Sequence, residues 1–85
     1  MDEYEIARRA SALPDQFAAR LPAGKLAGLK AMERGGEYGE LTIELTATLA
    51  NSGAKVTSAE QRELRALLEA TGMPTRPVDG LAVRD

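Results

Sequence analysis

The chain has 85 residues and a net charge of −2, with no cysteine, histidine or tryptophan. That length suits one small domain with a core of marginal size. The missing residue types exclude a disulfide framework, thiolate or imidazole metal ligation, and Cys or His catalysis.

The opening MDEYEIARRA is charged throughout and lacks the form of a signal peptide. No run approaches the roughly 20 apolar residues of a membrane span, so a soluble, cytoplasmic protein is expected. Asp2 with Glu5 three positions on has the form of a capping box with Asp in place of Ser or Thr. Ile6, Ala10 and Leu13 then recur at helical spacing. Pro14 ends or kinks that helix and can equally open the next. Phe17 and Leu21 continue the apolar stripe to Pro22, where a second bend is expected. Leu26, Leu29 and Met32 form a narrow stripe that stops at Gly35-Gly36.

The stretch 39–53, GELTIELTATLANSG, supports two readings. From Leu41 to Leu49 apolar and polar residues alternate, as in a half-buried strand, and three threonines favour that reading. Tyr38, Leu41, Leu45 and Leu49 also fall within an arc of about 80° on a helix. A strand needs a partner, and the only candidate, around Val78–Val83, carries Pro77 and Gly80. A helix between the glycine signals at Gly36 and Gly53 needs none. The helix is therefore the expectation.

On that helix Ile43, Ala47 and Ala50 lie about 140° to 180° from the Leu41/Leu45 stripe, with Glu37, Glu40 and Glu44 on the flank between. Two accounts are open. Either the helix is central and packed on both sides, with the glutamates as its solvated edge, or Ile43 and Ala47, rimmed by acids, belong to a binding patch. The threonines and serines of this region (Thr42, Thr46, Thr48, Ser52, Thr57) are read as helix-surface and capping residues.

Thr57-Ser58-Ala59-Glu60 is a capping box of the form S/T-x-x-E. Leu64, Leu67, Leu68 and Thr71 follow on one face, and Gly72 and Pro74 mark the stop. The closing PTRPVDGLAVRD reads as a tail with little regular structure, from which Val78, Leu81 or Val83 can tuck against the body. The expected fold is all-α, a small bundle of four to five short helices over residues 1–73, with an irregular C-terminal tail over 74–85.

Charge and chemistry narrow the function. Residues 1–34 carry six bases and five acids, residues 35–73 three bases and six acids, and residues 74–85 two of each. An acidic middle suits a basic partner. The carboxylate pairs Glu40/Glu44 and Glu60/Glu63 are at ordinary helical spacing, and no Glu-x-x-His metal motif can exist without histidine. Gly35-Gly36-Glu37-Tyr38-Gly39 lacks the preceding strand and the lysine of a phosphate-binding loop. Arg62 and Arg65 are accompanied by Glu63 and Glu69, so no basic stripe emerges for nucleic acid. A non-enzymatic protein without cofactor or metal is expected.

GEYGEL, the leucines Leu41, Leu45 and Leu49, the unit Val56-Thr57-x-x-Glu60-x-x-x-Leu64-x-x-Leu67 and the closing Gly72-Met73 together form a pattern. It resembles the small helical immunity proteins encoded beside secreted polymorphic toxins, of the kind found with Maf-type adhesin toxins. It is also similar to uncharacterised small actinobacterial proteins. The resemblance spans residues 37–73; residues 1–34 have no counterpart. It implies binding to a cognate toxin domain, often a nuclease, to prevent self-intoxication. The residues then expected to meet the partner are Glu37, Tyr38, Glu40, Ile43, Glu44 and Ala47, in a protein that alone is a monomer or weak homodimer. The alternatives are a self-associating structural or regulatory module and, less favoured, a helix-turn-helix DNA-binding regulator.

Overall fold

A computed structural model describes residues 1–85. The chain is an all-α bundle: α1 (Glu3–Ser11), α2 (Leu13–Phe17), a 3-10 turn (Ala18–Arg20), α3 (Lys25–Arg34), α4 (Tyr38–Ser52), α5 (Ser58–Ala70) and a single turn α6 (Arg76–Asp79). A two-residue parallel ladder joins β1 (Lys55–Val56) to β2 (Ala82–Val83), with Lys55 opposite Ala82 and Val56 opposite Val83.

The helix boundaries have local causes. Asp2 accepts the Glu5 N–H at 2.7 Å to open α1. Pro14 stands in the first turn of α2, where its missing N–H is harmless. Helix α4 ends at Gly53 and α5 at Gly72, both at φ 71°. In each case the next N–H reaches back five residues, Ala54 to the Leu49 carbonyl at 3.2 Å and Met73 to that of Leu68 at 2.9 Å. Only glycine takes that left-handed turn without strain, so these two residues define where the helices stop. The Thr57/Glu60 capping box is complete in both directions.

Residues 41–49 are helical, and α4 is the central element, packed on α1, α3, α5 and α6. Its buried face is wider than the leucine stripe, because Thr42 and Thr46 are fully buried beside Leu41, Leu45 and Leu49. This corrects the surface role expected of those two threonines. Each hydroxyl donates at 2.7 Å to the carbonyl four residues earlier, Tyr38 and Thr42 respectively. The polar atom is thereby satisfied within the helix, which lets the side chain be buried without an unpaired group.

Leu13, Phe17, Leu29, Val56, Leu64, Leu67 and Leu68 complete the core with the α4 leucines. The C-terminal segment is more ordered than its composition suggests. Val78 and Leu81 are buried in the same cluster, while Val83 is left 42% exposed.

The head of α4 lies hard against the end of α5. A Cβ on Gly39 would stand 3.0 Å from Met73 Cγ and 3.3 Å from Thr71 Cβ. Gly39→Val is accordingly expected to destabilise the fold by about 1–3 kcal/mol, through the repacking it forces at this contact. Chemical unfolding of the two proteins measures the difference; equal midpoints would mean that Met73 and Thr71 yield freely.

Candidate functional site

The head of α4 positions the expected binding residues, and the structure treats them unequally. Glu37 precedes the helix; its N–H donates to the Met32 carbonyl at 2.9 Å and its carbonyl accepts from Leu41 at 2.8 Å. Its carboxylate turns back over Gly35 and does not cap the helix. Glu40, in the first turn, is exposed and lies where the helix dipole favours a negative charge. Neither Glu37 nor Glu40 enters an ion pair. Tyr38 is half-buried.

Further along, Glu44 takes the ammonium of Lys25 on α3. Ile43 is half-buried and packs against the core, and Ala47 is half-buried one turn on. Glu37, Tyr38 and Glu40 are thus gathered at one place on the surface. Ile43 and Ala47 contribute only part of their area, and Glu44 is already partnered.

Several bases elsewhere are paired within the molecule. Arg9 is bound by Glu63, with Glu5 at 3.6 Å; Lys30 pairs with Asp15 at 2.7 Å and Arg65 with Asp79 at 3.3 Å. Free bases are spread along the chain from Arg8 to Arg84, and other free acids stand at Glu3, Glu33 and Glu69; Glu37 and Glu40 differ in lying within one turn of each other beside Tyr38.

A second constellation, at the other end of α4, escaped the sequence reading. Glu60 accepts from Arg20 through both carboxylate oxygens at 2.8 Å and from the Thr57 N–H at 2.9 Å, and Gln16 donates to it at 3.3 Å. Arg20 also donates to the Lys55 carbonyl at 3.0 Å and lies 4.4 Å from the centroid of Phe17. These bonds, Arg20 foremost, hold the Glu60 carboxyl down at about 2 against the opposing effect of burial.

Asp85 similarly accepts the Ser58 N–H at 2.7 Å and the Ser58 hydroxyl at 2.6 Å, which lowers its carboxyl below the usual range. Nothing local could have announced these contacts, since Arg20 and Glu60 are 40 residues apart and Ser58 and Asp85 are 27 apart.

An open cleft of about 510 Å³ lies between the 3-10 turn and the α4–β1 junction, bordered by Leu21, Pro22, Ala54 and Lys55. Its guanidinium, Arg20, is committed to Glu60, which leaves Lys55 as the free polar group. No buried side-chain polar atom lacks a partner, and no three acidic residues group as metal ligands. No helix is long and apolar enough to cross a membrane.

The architecture therefore defines a small all-α bundle with two exposed, unpaired acids, Glu37 and Glu40, at the head of its central helix. Comparison with protein-family models, with curated proteins and with solved structures returns no match.

Proposed function

We propose that this protein is a non-catalytic protein-binding module, and more specifically an immunity protein that binds and neutralises a cognate secreted toxin domain. The observation that carries the reading is the pair of exposed, unpaired carboxylates Glu37 and Glu40 beside half-buried Tyr38, Ile43 and Ala47. Charged groups that have no partner within the fold are free to meet a basic surface, where complementary potential speeds association and sets register. Tyr38 and Ile43 provide the partly apolar centre that such an interface requires. Glu44 joins the contact by exchanging Lys25 for a base of the partner.

The immunity role itself rests on the resemblance of residues 37–73. The DNA-binding alternative draws no support from α5, whose Arg65 is taken by Asp79 and leaves Arg62 alone.

The test uses the full chain carrying Glu37→Lys and Glu40→Lys, against the toxin domain encoded beside it. Binding is expected to weaken at least about tenfold, with loss of protection in cells expressing the toxin, while far-ultraviolet dichroism stays unchanged. Undiminished binding by a folded double variant would remove the head of α4 from the interface.

A further inference from the structure

Residues 74–85 form a strap whose anchors all lie on the body of the fold. Val78 and Leu81 enter the same core cluster as Leu49, Val56 and Leu64, and α6 packs on α4 and α5. Gly80 closes on Ala50, where an added Cβ would stand 3.4 Å away. The Arg84 N–H donates to the Val56 carbonyl at 2.7 Å. Asp85 then latches the strap to the first turn of α5 by accepting the N–H and hydroxyl of Ser58 at 2.7 and 2.6 Å.

That latch answers a need of α5, whose first N–H groups have no partner within the helix. Thr57 takes the Glu60 N–H at 3.0 Å, and Asp85 takes the Ser58 N–H. The strap reaches this position through one linker, in which Gly72 turns the chain with φ 71° and Pro74 cannot continue the helix.

We infer that this strap is exchangeable: the groove between α4, β1 and α5 that it fills in its own chain is also a docking site for the strap of a second copy. The occupant follows from complementarity already present. A groove that accepts Val78, Leu81, the β2 backbone and Asp85 from its own chain offers the same contacts to an identical segment. Only the covalent tether favours the closed monomer, through an effective concentration of about millimolar for a short linker. Loosening the latch, or raising the protein concentration toward that value, shifts the balance to the exchanged pair. This surface is separate from the head of α4, so the inference stands whether or not Glu37 and Glu40 bind a partner.

The test compares the wild-type chain with Ser58→Ala/Asp85→Ala, which alters half-exposed and exposed residues alone. Hydrogen exchange is followed at Leu81 and Arg84 and in the interiors of α4 and α5. A fluorescent peptide of residues 74–85 supplies the second strap. In the variant the strap amides are expected to exchange roughly tenfold faster, with the helix interiors unchanged. The peptide is expected to bind saturably and more tightly to the variant than to the wild type, with release by excess unlabelled peptide. Strap amides that exchange only as slowly as the α4 core would overturn the inference, because the strap would then open only with the whole fold. Opening without capture of the peptide would overturn it equally, because the groove would then admit no second strap.

Discussion

Glu60→Gln is expected to lower the unfolding free energy by about 2 kcal/mol at neutral pH, and the loss should shrink to nothing in acid. Gln keeps the shape of the side chain and can still accept from the Thr57 N–H, so the change removes the charge together with the one oxygen that accepts from Arg20 Nη2 and Gln16. In the fold the carboxyl sits at about 2 instead of 4.5. That displacement corresponds to about 3 kcal/mol at ~1.4 kcal/mol per tenfold in proton affinity. Arg20 is 32% exposed, and solvent screening there brings the expectation to about 2 kcal/mol.

Because the folded carboxyl is the stronger acid, its contribution is complete above pH 4.5. It is lost as the pH falls from there through about 2. Thermal unfolding of the two proteins should differ by about 8–16 °C at pH 7 and converge near pH 2. A gap that persists at the lowest pH would assign the effect to packing instead of charge. Glu63→Gln is the control: its partner Arg9 is 27% exposed and Glu63 itself 30%, which limits that pair to about 1 kcal/mol.

What the sequence disclosed follows the range of the forces involved. Caps, glycine stops and the proline in the first turn of α2 act within a few residues, and their positions were legible. Helical spacing also identified Leu41, Leu45 and Leu49 as core. The threonines were misjudged because burial of Thr42 and Thr46 depends on a bond each hydroxyl makes to its own helix. A polar-versus-apolar reading counts that group as outward-facing. The same error produced the strand-like alternation: once 42 and 46 join 41, 45 and 49, the buried face has a helical period.

The C-terminal segment was illegible for a different reason. A two-residue ladder between Lys55–Val56 and Ala82–Val83 has no periodicity, and it forms only because Val78 and Leu81 find the core. At the candidate site, spacing placed Glu37, Glu40 and Glu44 along one ridge. It could not convey that Lys25, 19 residues earlier, folds onto Glu44. Charge counts along a chain describe surplus, whereas binding depends on which charges remain unpaired after folding. That difference separates Glu37 and Glu40 from Glu44 on the same ridge.

Phe17→Ala should have the largest effect of any single change considered, a loss of about 3–5 kcal/mol. Phe17 is fully buried and is the only phenylalanine in the chain, and a domain of this size holds about 4–13 kcal/mol in all. The expected result is therefore the loss of about a quarter or more of the total stability, seen as a denaturant midpoint far below that of the wild type.

The cavity is one cause, and Arg20 supplies another. Its guanidinium rests 4.4 Å from the ring centroid while it grips Glu60 and the Lys55 carbonyl, and a contact of that kind contributes about 0.5–1 kcal/mol. Phe17 and Glu60 thus act through one shared side chain, and their effects should not add. The cycle is best run with Phe17→Leu, which keeps most of the volume and leaves a measurable fold. Combined with Glu60→Gln, the double variant should lose about 0.5–1 kcal/mol less than the sum of the single losses. Strict additivity would mean that the ring and the carboxylate hold Arg20 independently, and that the junction of α2, β1 and α5 is assembled from separate contacts instead of one coupled unit.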